Sequence, residues 1–180
     1  MGVPLAMKED THGNVWIVTE YGLAVCNGEG DIQTTLRVDV HDISSMAIDG
    51  WGNLWLGTRG HGLYRVVPAY RDGKVVECAV RHFAARDGGL LSNNVEALCA
   101  DVKHRKVWIG TMEGNVQAWD AQTNAFKDYS SLFYTYINET VNDIMAGQDG
   151  HIWISTAKNV LEFNPDNEVV KSYAGLYNMG

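Results

Sequence analysis

The chain has 180 residues, of which 46% are hydrophobic and 20% are charged, an ordinary globular composition with enough chain to bury one sizeable core. The formal net charge of −8 and the pI near 5.1 argue against DNA or RNA as a partner, because phosphate contacts need clustered lysines and arginines.

Targeting and redox signals are sparse. No apolar run reaches the length of a membrane span, and the start MGVPLAMKED lacks the basic and apolar regions of a secretory signal. We therefore expect either a cytoplasmic protein or a leader outside this sequence. Cys26, Cys78 and Cys99 are far apart and form no CxxC pair, which predicts buried thiols rather than a disulfide framework or a zinc site.

The first elements in chain order are a turn at residues 10–14 (DTHGN) and an apolar strand centred on Trp16. The same pair recurs as DGWGN before Trp55, DVKHRK before Trp108 and QDGH before Trp153. Aspartate, asparagine and glycine suit tight turns between strands, because they bond locally or tolerate a positive φ. Aliphatic residues flank every tryptophan, and a threonine follows three positions later: Thr19, Thr58, Thr111 and Thr156.

Further strands are predicted around each tryptophan strand. An apolar first strand precedes the turn, as at Ile43, Met46 and Ile48. A bend containing glycine, or Asn159 in the last copy, leads to a third strand, and a polar loop leads to an outer fourth strand near residues 32–38, 75–83, 125–129 and 169–173. The longest copy holds an insertion around residues 68–81.

The pattern therefore predicts an all-β protein, a β-propeller of four four-stranded antiparallel blades. Its spacing is near the period of about 40 to 50 residues typical of such blades. We expect a single propeller domain or fragment over 1–180, with blades near 1–39, 40–87, 88–136 and 137–175. One blade cannot bury both of its faces alone. The four tryptophans and their threonines are accordingly interpreted as structural anchors, with the indoles packed between blades.

The phrase GGLLSNNVEALCAD, followed by the tryptophan strand, resembles the two-component-regulator propeller repeat. The family consensus reads G-L-S-x-N-x-V, an apolar strand, an aspartate, a turn and then W-[ILV]-G-T. The match is specific in the second and third copies, while the first copy departs at Val18 and the fourth at Ser155 and Asn159. The matching residues in the third copy are Gly89, Leu90, Ser92, Asn94, Val95, Leu98, Asp101, Trp108, Gly110, Thr111 and Gly114.

Members of that family are typically extracytoplasmic sensor regions of bacterial hybrid two-component systems, often sensing oligosaccharides. The resemblance implies a periplasmic location, recognition rather than chemistry, and no cofactor. No kinase segment is present in this sequence. Gly175, Leu176 and Asn178 look like the start of another repeat link. Three possibilities stay open: a closed ring of four blades, a fragment of a larger ring, or two chains that complete a ring together.

The sequence contains none of the common catalytic or metal-binding motifs: GxSxG, HExxH, a Walker loop, a complete dinucleotide pattern and an EF-hand do not occur. His12, His104 and His151 fall in turns of different copies. We expect them to be solvated and too far apart to share a metal ion.

The opposite edge of the blades is the predicted ligand face, since loops after the second and fourth strands emerge there together. Aromatic, amide and charged side chains suit an oligosaccharide or another polar small ligand. Two alternatives are a protein-interaction scaffold without a small ligand and, less favoured, a propeller enzyme similar to streptogramin lyases. The candidate ligand-binding residues are Tyr21, His41, Arg59, His61, Asn93, Asn94, Glu113, Tyr134, Tyr136 and Lys158.

Overall fold

A computed structural model describes residues 3–19, 22–36, 40–87 and 89–173. These residues form four four-stranded antiparallel sheets, each with its strands in chain order, which confirms the predicted fold class. The first blade contains β1 (Pro4–Glu9), β2 (Val15–Thr19), β3 (Gly22–Cys26) and β4 (Ile32–Leu36). The second contains β5 (Ile43–Ile48), β6 (Leu54–Thr58), β7 (Leu63–Arg71) and β8 (Lys74–Phe83).

The third and fourth blades follow the same plan. Blade three contains β9 (Val95–Asp101), β10 (Lys106–Thr111), β11 (Val116–Asp120) and β12 (Ala125–Asp128). Blade four contains β13 (Asp143–Ala146), β14 (Ile152–Ser155), β15 (Val160–Asn164) and β16 (Val169–Ser172). A short helix, α1 (Ser130–Phe133), lies in the link between them, and a 3-10 turn at Ala85–Asp87 follows β8. Among the described residues, no helix has the length and apolar character needed to cross a bilayer.

The first strands of the four blades line a cavity of about 660 Å³, which we call the central channel. Each blade contributes at least one polar side chain to its wall. Among these are Lys8 of β1, Ser44 of β5, Glu96 of β9 and Asn142, which directly precedes β13. The outer strands lie furthest from the channel. The innermost strands therefore hold the blades side by side around one axis, as a propeller requires.

The hydrophobic core is divided into three clusters, one at each joint between consecutive blades. Trp16, Trp55 and Trp108 are fully buried and lie in these clusters. Trp16 packs with Leu54 and Leu56 of the next blade, and the other two repeat this arrangement. The indoles therefore join the blades, as expected from the repeat.

Trp153 is an exception among the four anchors. It is only half-buried, because its face of blade four is the last in the stack of described blades. Its blade differs in a second way. Gly147 stands six residues before Trp153, where the first two blades have Asp10 and Asp49 before their tryptophans.

A buried aspartate holds the indole in each of the other three blades. Asp10, Asp49 and Asp101 accept a hydrogen bond from the indole Nε1 of their tryptophans at 3.0, 2.8 and 3.1 Å. Burial alone would raise the pKa of Asp10, but hydrogen bonds from Trp16, Asn14 and His12 lower it below its usual value. Asp10 therefore stays charged while it fixes both the turn and the ring.

The predicted insertion in the second copy is an extension of the hairpin formed by β7 and β8. β7 and β8 pair along their whole length around Asp72 and Gly73, both with positive φ, the conformation of a tight two-residue hairpin turn. The extension packs over blade one. The Tyr70 hydroxyl donates to Asp10 Oδ2 at 2.9 Å, and the Tyr70 ring stacks on His12 at 4.2 Å.

The glycine of W-[ILV]-G-T has a packing role. A Cβ on Gly110 would lie 2.4 Å from Val141 Cγ1 and 2.8 Å from Val141 Cβ, and Gly57 meets Val95 in the same way. The first strand of the next blade therefore sits directly over this position. In blade one the residue there is Val18, which is buried.

Gly110→Ala should lower the free energy of unfolding by about 1 to 3 kcal/mol, because the methyl group overpacks the joint between blades three and four. Chemical denaturation followed by circular dichroism measures it. Gly28→Ala is the matched control, since a Cβ there meets its nearest atom at 3.8 Å. Equal stability for both variants would contradict the close approach.

Candidate functional site

The predicted ligand face is the sheet edge formed by loops 59–62, 112–115 and 156–159 together with links 40–42, 84–94 and 129–142, where residue 88 lies outside the described residues. We call it the loop face. Backbone hydrogen bonds tie the first two loops to link 84–94: Gly60 N donates to Asn93 O at 3.0 Å and Met112 N to Asn94 O at 3.0 Å. The third loop is tied to link 129–142 by Asn159 Nδ2, which donates to Tyr136 O at 2.7 Å. The face is therefore a connected rim rather than a set of separate loops.

The anchor threonines close the loops beneath this rim. Thr58 Oγ1 donates to Gly62 O at 2.8 Å, and Thr19 Oγ1 donates to Gly22 O at 3.2 Å. In blade three Thr111 Oγ1 accepts from Asn115 N at 3.1 Å. Because these hydroxyls are buried, they hold the bends after the tryptophan strands in place.

Two pairs of polar side chains lie at the joint between blades two and three, where the backbones of Arg59 and Asn94 form a β-bridge. The Arg59 guanidinium donates to both carboxylate oxygens of Glu96, at 2.6 and 3.0 Å. Asn94 Nδ2 donates to Glu113 Oε1 at 2.7 Å. Such bidentate and amide–carboxylate pairs fix the direction of their remaining lone pairs and N–H groups. The group is therefore preorganised for hydrogen bonding with a polar ligand.

The charges of this group are well defined. The hydrogen bond and charge of Glu96 raise the pKa of Arg59 above its usual value. Burial would raise the pKa of Glu113, but hydrogen bonds from Ser92 and Asn94 lower it overall. Both groups are ionised at neutral pH, so a ligand meets an exposed cation beside two carboxylates.

Two predicted histidines meet above the joint between blades one and two. The rings of His41 and His61 lie 6.3 Å apart, and His61 Nε2 lies 3.8 Å from Asp42 Oδ2. A neighbouring depression of about 390 Å³ is lined by Leu5, Val40, His41, Asp42, Ile43 and Arg59. Imidazole and carboxylate groups thus border a concave surface next to the Arg59 group.

The link before blade four supplies the third group. Tyr134 is 76% exposed, while Tyr136 is half-buried against the core cluster of that joint. Lys158 Nζ lies 3.4 Å from Glu139 Oε2, and Glu139 Oε1 accepts from Thr156 Oγ1 at 2.8 Å. Tyr134 therefore offers a free aromatic ring, whereas Tyr136 mainly packs the link.

The structure groups some predicted site residues and separates others. Arg59, Asn94 and Glu113 come together, and His41 and His61 form a second group. Asn93 has a local structural role, since its Oδ1 accepts from Ala85 N at 2.8 Å. Tyr21 lies outside the described residues. Glu96 was not predicted; its place between buried Val95 and Ala97 in β9 is the signal that it faces the channel.

Two of the three turn histidines, His104 and His151, differ from the expectation that they are solvated, whereas His12 is exposed as expected. His104 Nδ1 lies 2.7 Å from Asp101 Oδ2, with only 12% of the side chain exposed, and His12 stacks on Tyr70. His151 Nδ1 lies 2.5 Å from Glu162 Oε1. The imidazoles of His104 and His151 are therefore paired with carboxylates, whereas that of His12 contacts an aromatic ring.

Possible metal ligands converge at one place in the described part of the chain. Ligand atoms of Asp149, His151 and Glu162 lie within 4.8 Å of one another. Glu162 already accepts a hydrogen bond from Tyr173 at 2.5 Å and faces Lys171 Nζ at 3.4 Å. Because these partners occupy Glu162 and bring a positive charge, the group is described here as an ion-pair cluster.

The thiol in the channel wall is not activated. Burial raises the pKa of Cys99 to about 11, so the thiol is protonated at neutral pH and is a weak nucleophile. The Cys78 pKa is raised to about 11 for the same reason. Cys26 is buried.

The chain is similar to several solved propeller structures. One is the extracellular domain of the hybrid two-component system BT4673 from B. thetaiotaomicron, at 17% identity over 95% of this chain and 21% of that chain, with a TM-score of 0.65. Another is the corresponding domain of BT3049 from the same organism, at 18% identity over 97% and 28%, with a TM-score of 0.51. The WD40 domain of Neurospora crassa Pan2 is a third, at 14% identity over 96% and 50%, with a TM-score of 0.63.

These similarities confirm the propeller fold. The hybrid two-component systems among them are the class of protein that the repeat motif resembles, so the two observations agree. The chain spans less than a third of those extracellular domains. No protein-family model and no curated protein matches the chain.

Proposed function

We propose that this chain is a non-catalytic ligand-binding part of the extracytoplasmic sensor region of a hybrid two-component system, and that its loop face binds a neutral oligosaccharide. The similarity to extracellular domains of such systems supports the sensor role and a periplasmic location. The repeat motif independently resembles the same family.

The observation that carries the ligand proposal is the chemistry of the loop face. The paired groups Arg59–Glu96 and Asn94–Glu113 offer oriented donors and acceptors for hydroxyls. Tyr134 offers an exposed ring that can cover an apolar sugar face. The cations are matched by carboxylates, and the chain carries a net charge of −8. A neutral glycan therefore suits the face better than a polyanion.

A recognition role also fits the reactive groups of the described residues. The channel thiol Cys99 is protonated. The ionised pair Arg59–Glu96 is mutually satisfied, which suits binding more than proton transfer. The sensor role requires only that ligand binding change how the blades contact the rest of the protein.

Titration calorimetry with a panel of neutral oligosaccharides, and a sulfated glycan as comparison, tests the proposal. At least one neutral member should bind, and Tyr134→Ala should weaken it by about 1 kcal/mol, or roughly fivefold. Trp51→Ala is the matched control, because Trp51 is an exposed aromatic residue, 50% accessible, in the turn between β5 and β6 at the opposite edge. Equal effects of the two substitutions, or no heat from any neutral glycan, would contradict the proposal.

A further inference from the structure

The outward face of blade four carries a pair of uncovered aromatic rings. Trp153 and Tyr173 stack with centroids 5.5 Å apart and planes 29° apart. Trp153 is half-buried, and Met145, which is paired with it across the sheet, is 57% exposed. We call Met145, Trp153 and Tyr173 the blade-four face. Such a group of exposed apolar side chains on one sheet is unusual for a surface that stays in water.

In the joints within the chain, the aromatic residues at the positions of Trp153 and Tyr173 pack against the next blade. In blade three the equivalent rings are Trp108 and Tyr129. Phe163 of the next blade packs against them, with ring centroids 5.6 and 5.9 Å away. In blade two, Trp119 of the next blade packs against Trp55 and Phe83, with ring centroids 5.7 and 5.3 Å away. In both joints an aromatic pair on one blade forms a notch for a side chain from the third strand of the following blade. Trp153 and Tyr173 form the same notch, and within the described residues no ring fills it.

The opposite end of the stack carries the complementary surface. Met7 and Ile17 are paired across β1 and β2. The same positions in blade two are Met46 and Leu56, which pack with Trp16. In blade one they lack such a partner among the described residues: Met7 is 64% exposed and Leu5 is 49% exposed. We call Leu5, Met7 and Ile17 the blade-one face.

The charged groups beside the notch are already compensated. Glu162, which is paired with Trp153 across the sheet, accepts hydrogen bonds from His151 and Tyr173 and faces Lys171. Blade two tolerates a charge at the same position, because Arg65 is paired with Trp55 and lies over that ring inside a closed joint. Glu162 could therefore be buried in a joint between blades, as Arg65 is in the joint between blades two and three.

We propose that the blade-four face binds the blade-one face of a second copy of this chain, head to tail. The contact continues the three joints within the chain: Met7 and Ile17 stand at the strand positions of Met46 and Leu56. Cys26 of β3 stands at the third-strand position that Trp119 and Phe163 hold in the inner joints. The occupant has to supply apolar residues in the register of a following blade, and the blade-one face supplies them in that register. Because the two faces differ, the contact is heterologous, and two copies can satisfy both contacts by closing a ring of eight blades.

Sedimentation equilibrium of the 180-residue chain tests this contact. The series should reach about 200 μM, where an interface with a micromolar Kd saturates. We expect a mass of twice the 19.9 kDa of one chain, or a larger assembly if the contacts do not close. Trp153→Asp and Met7→Asp should each abolish the association, whereas Trp51→Asp should leave it unchanged. A wild-type chain that stays monomeric throughout the series would overturn the proposal.

Mixing the two interface variants distinguishes this contact from a symmetric one. Trp153→Asp keeps the blade-one face, and Met7→Asp keeps the blade-four face, so the mixture should form a one-to-one complex although neither variant associates alone. Self-association of Met7→Asp would instead show a contact between two blade-four faces and overturn the proposal. If circular dichroism shows that either variant is unfolded, Met145→Asp and Leu5→Asp replace them, since both positions are largely exposed.

Discussion

Trp108→Ala is expected to lower the free energy of unfolding by about 3 to 5 kcal/mol, the range for emptying a buried aromatic site. Trp108 is fully buried and contacts Tyr129 of its own blade and Phe163 of the next one, at centroid distances of 4.8 and 5.6 Å. The substitution therefore opens a cavity at the joint and leaves Asp101 without its indole donor. Urea denaturation followed by far-ultraviolet circular dichroism measures the loss.

Two other tryptophans provide controls for this result. Trp51→Ala should change stability by less than about 0.5 kcal/mol, as is usual for exposed positions. Trp153→Ala should fall between the two, since Trp153 is half-buried. A Trp108→Ala protein as stable as the Trp51→Ala protein would show that the indole does not join the blades.

Asp49→Ala is expected to cost about 3 kcal/mol, because it removes the acceptor of several buried donors, each worth about 1 to 3 kcal/mol when left unpaired. The carboxylate accepts from Trp55 Nε1 at 2.8 Å, from Asn53 Nδ2 at 2.9 and 3.1 Å, and from the backbone N–H groups of Trp51 and Asn53 at 3.0 and 2.9 Å. Thermal and urea unfolding should both report the loss.

Two matched substitutions separate hydrogen bonding from loss of a charge. Asp49→Asn keeps one side-chain oxygen as an acceptor and should lose less stability than Asp49→Ala. Asp31→Ala removes an exposed aspartate that bonds Asn27 in another turn and should be nearly neutral. If Asp49→Ala and Asp31→Ala were equally stable, the carboxylate would not be the centre of the turn.

The fold could be predicted from the sequence because each blade repeats the same local chemistry. A turn that contains an aspartate and the tryptophan strand that follows it specify a hairpin and its buried face without any knowledge of distant contacts. The sequence of one blade does not show whether another blade covers its face. Like Trp108, Trp153 has an aliphatic residue on either side and a threonine three positions later. It is nevertheless half-buried, because the described residues place no blade over it.

The hairpin extension of blade two was less predictable. The sequence showed an insertion around residues 68–81 but not its structure, in which the paired strands β7 and β8 continue past Pro68. The Asp72–Gly73 turn and the contact of Tyr70 with Asp10 stabilise the extension. The first of these has a sequence signal in the Asp-Gly pair. The second depends on a contact with another blade, which the local sequence does not contain.

The candidate site could be predicted as a face but not as a set of contacts. Loop positions alone placed Arg59, Asn94 and Glu113 on the same edge, since loops after second and fourth strands share it. The pairing of Arg59 with Glu96 depends on the packing of blade two against blade three. The different exposure of Tyr134 and Tyr136 depends on α1, whose Phe133 is buried in the joint.

Hydrogen exchange of the indole Nε1–H groups, followed by NMR, tests most directly whether recurring tryptophans join successive blades. The indole protons of Trp16, Trp55 and Trp108 are buried and bonded to aspartates, so they should exchange only on global unfolding. The indole proton of Trp51 should exchange within the dead time, and that of Trp153 should be far less protected than the first three. Rapid exchange at Trp16, Trp55 and Trp108 would contradict the account.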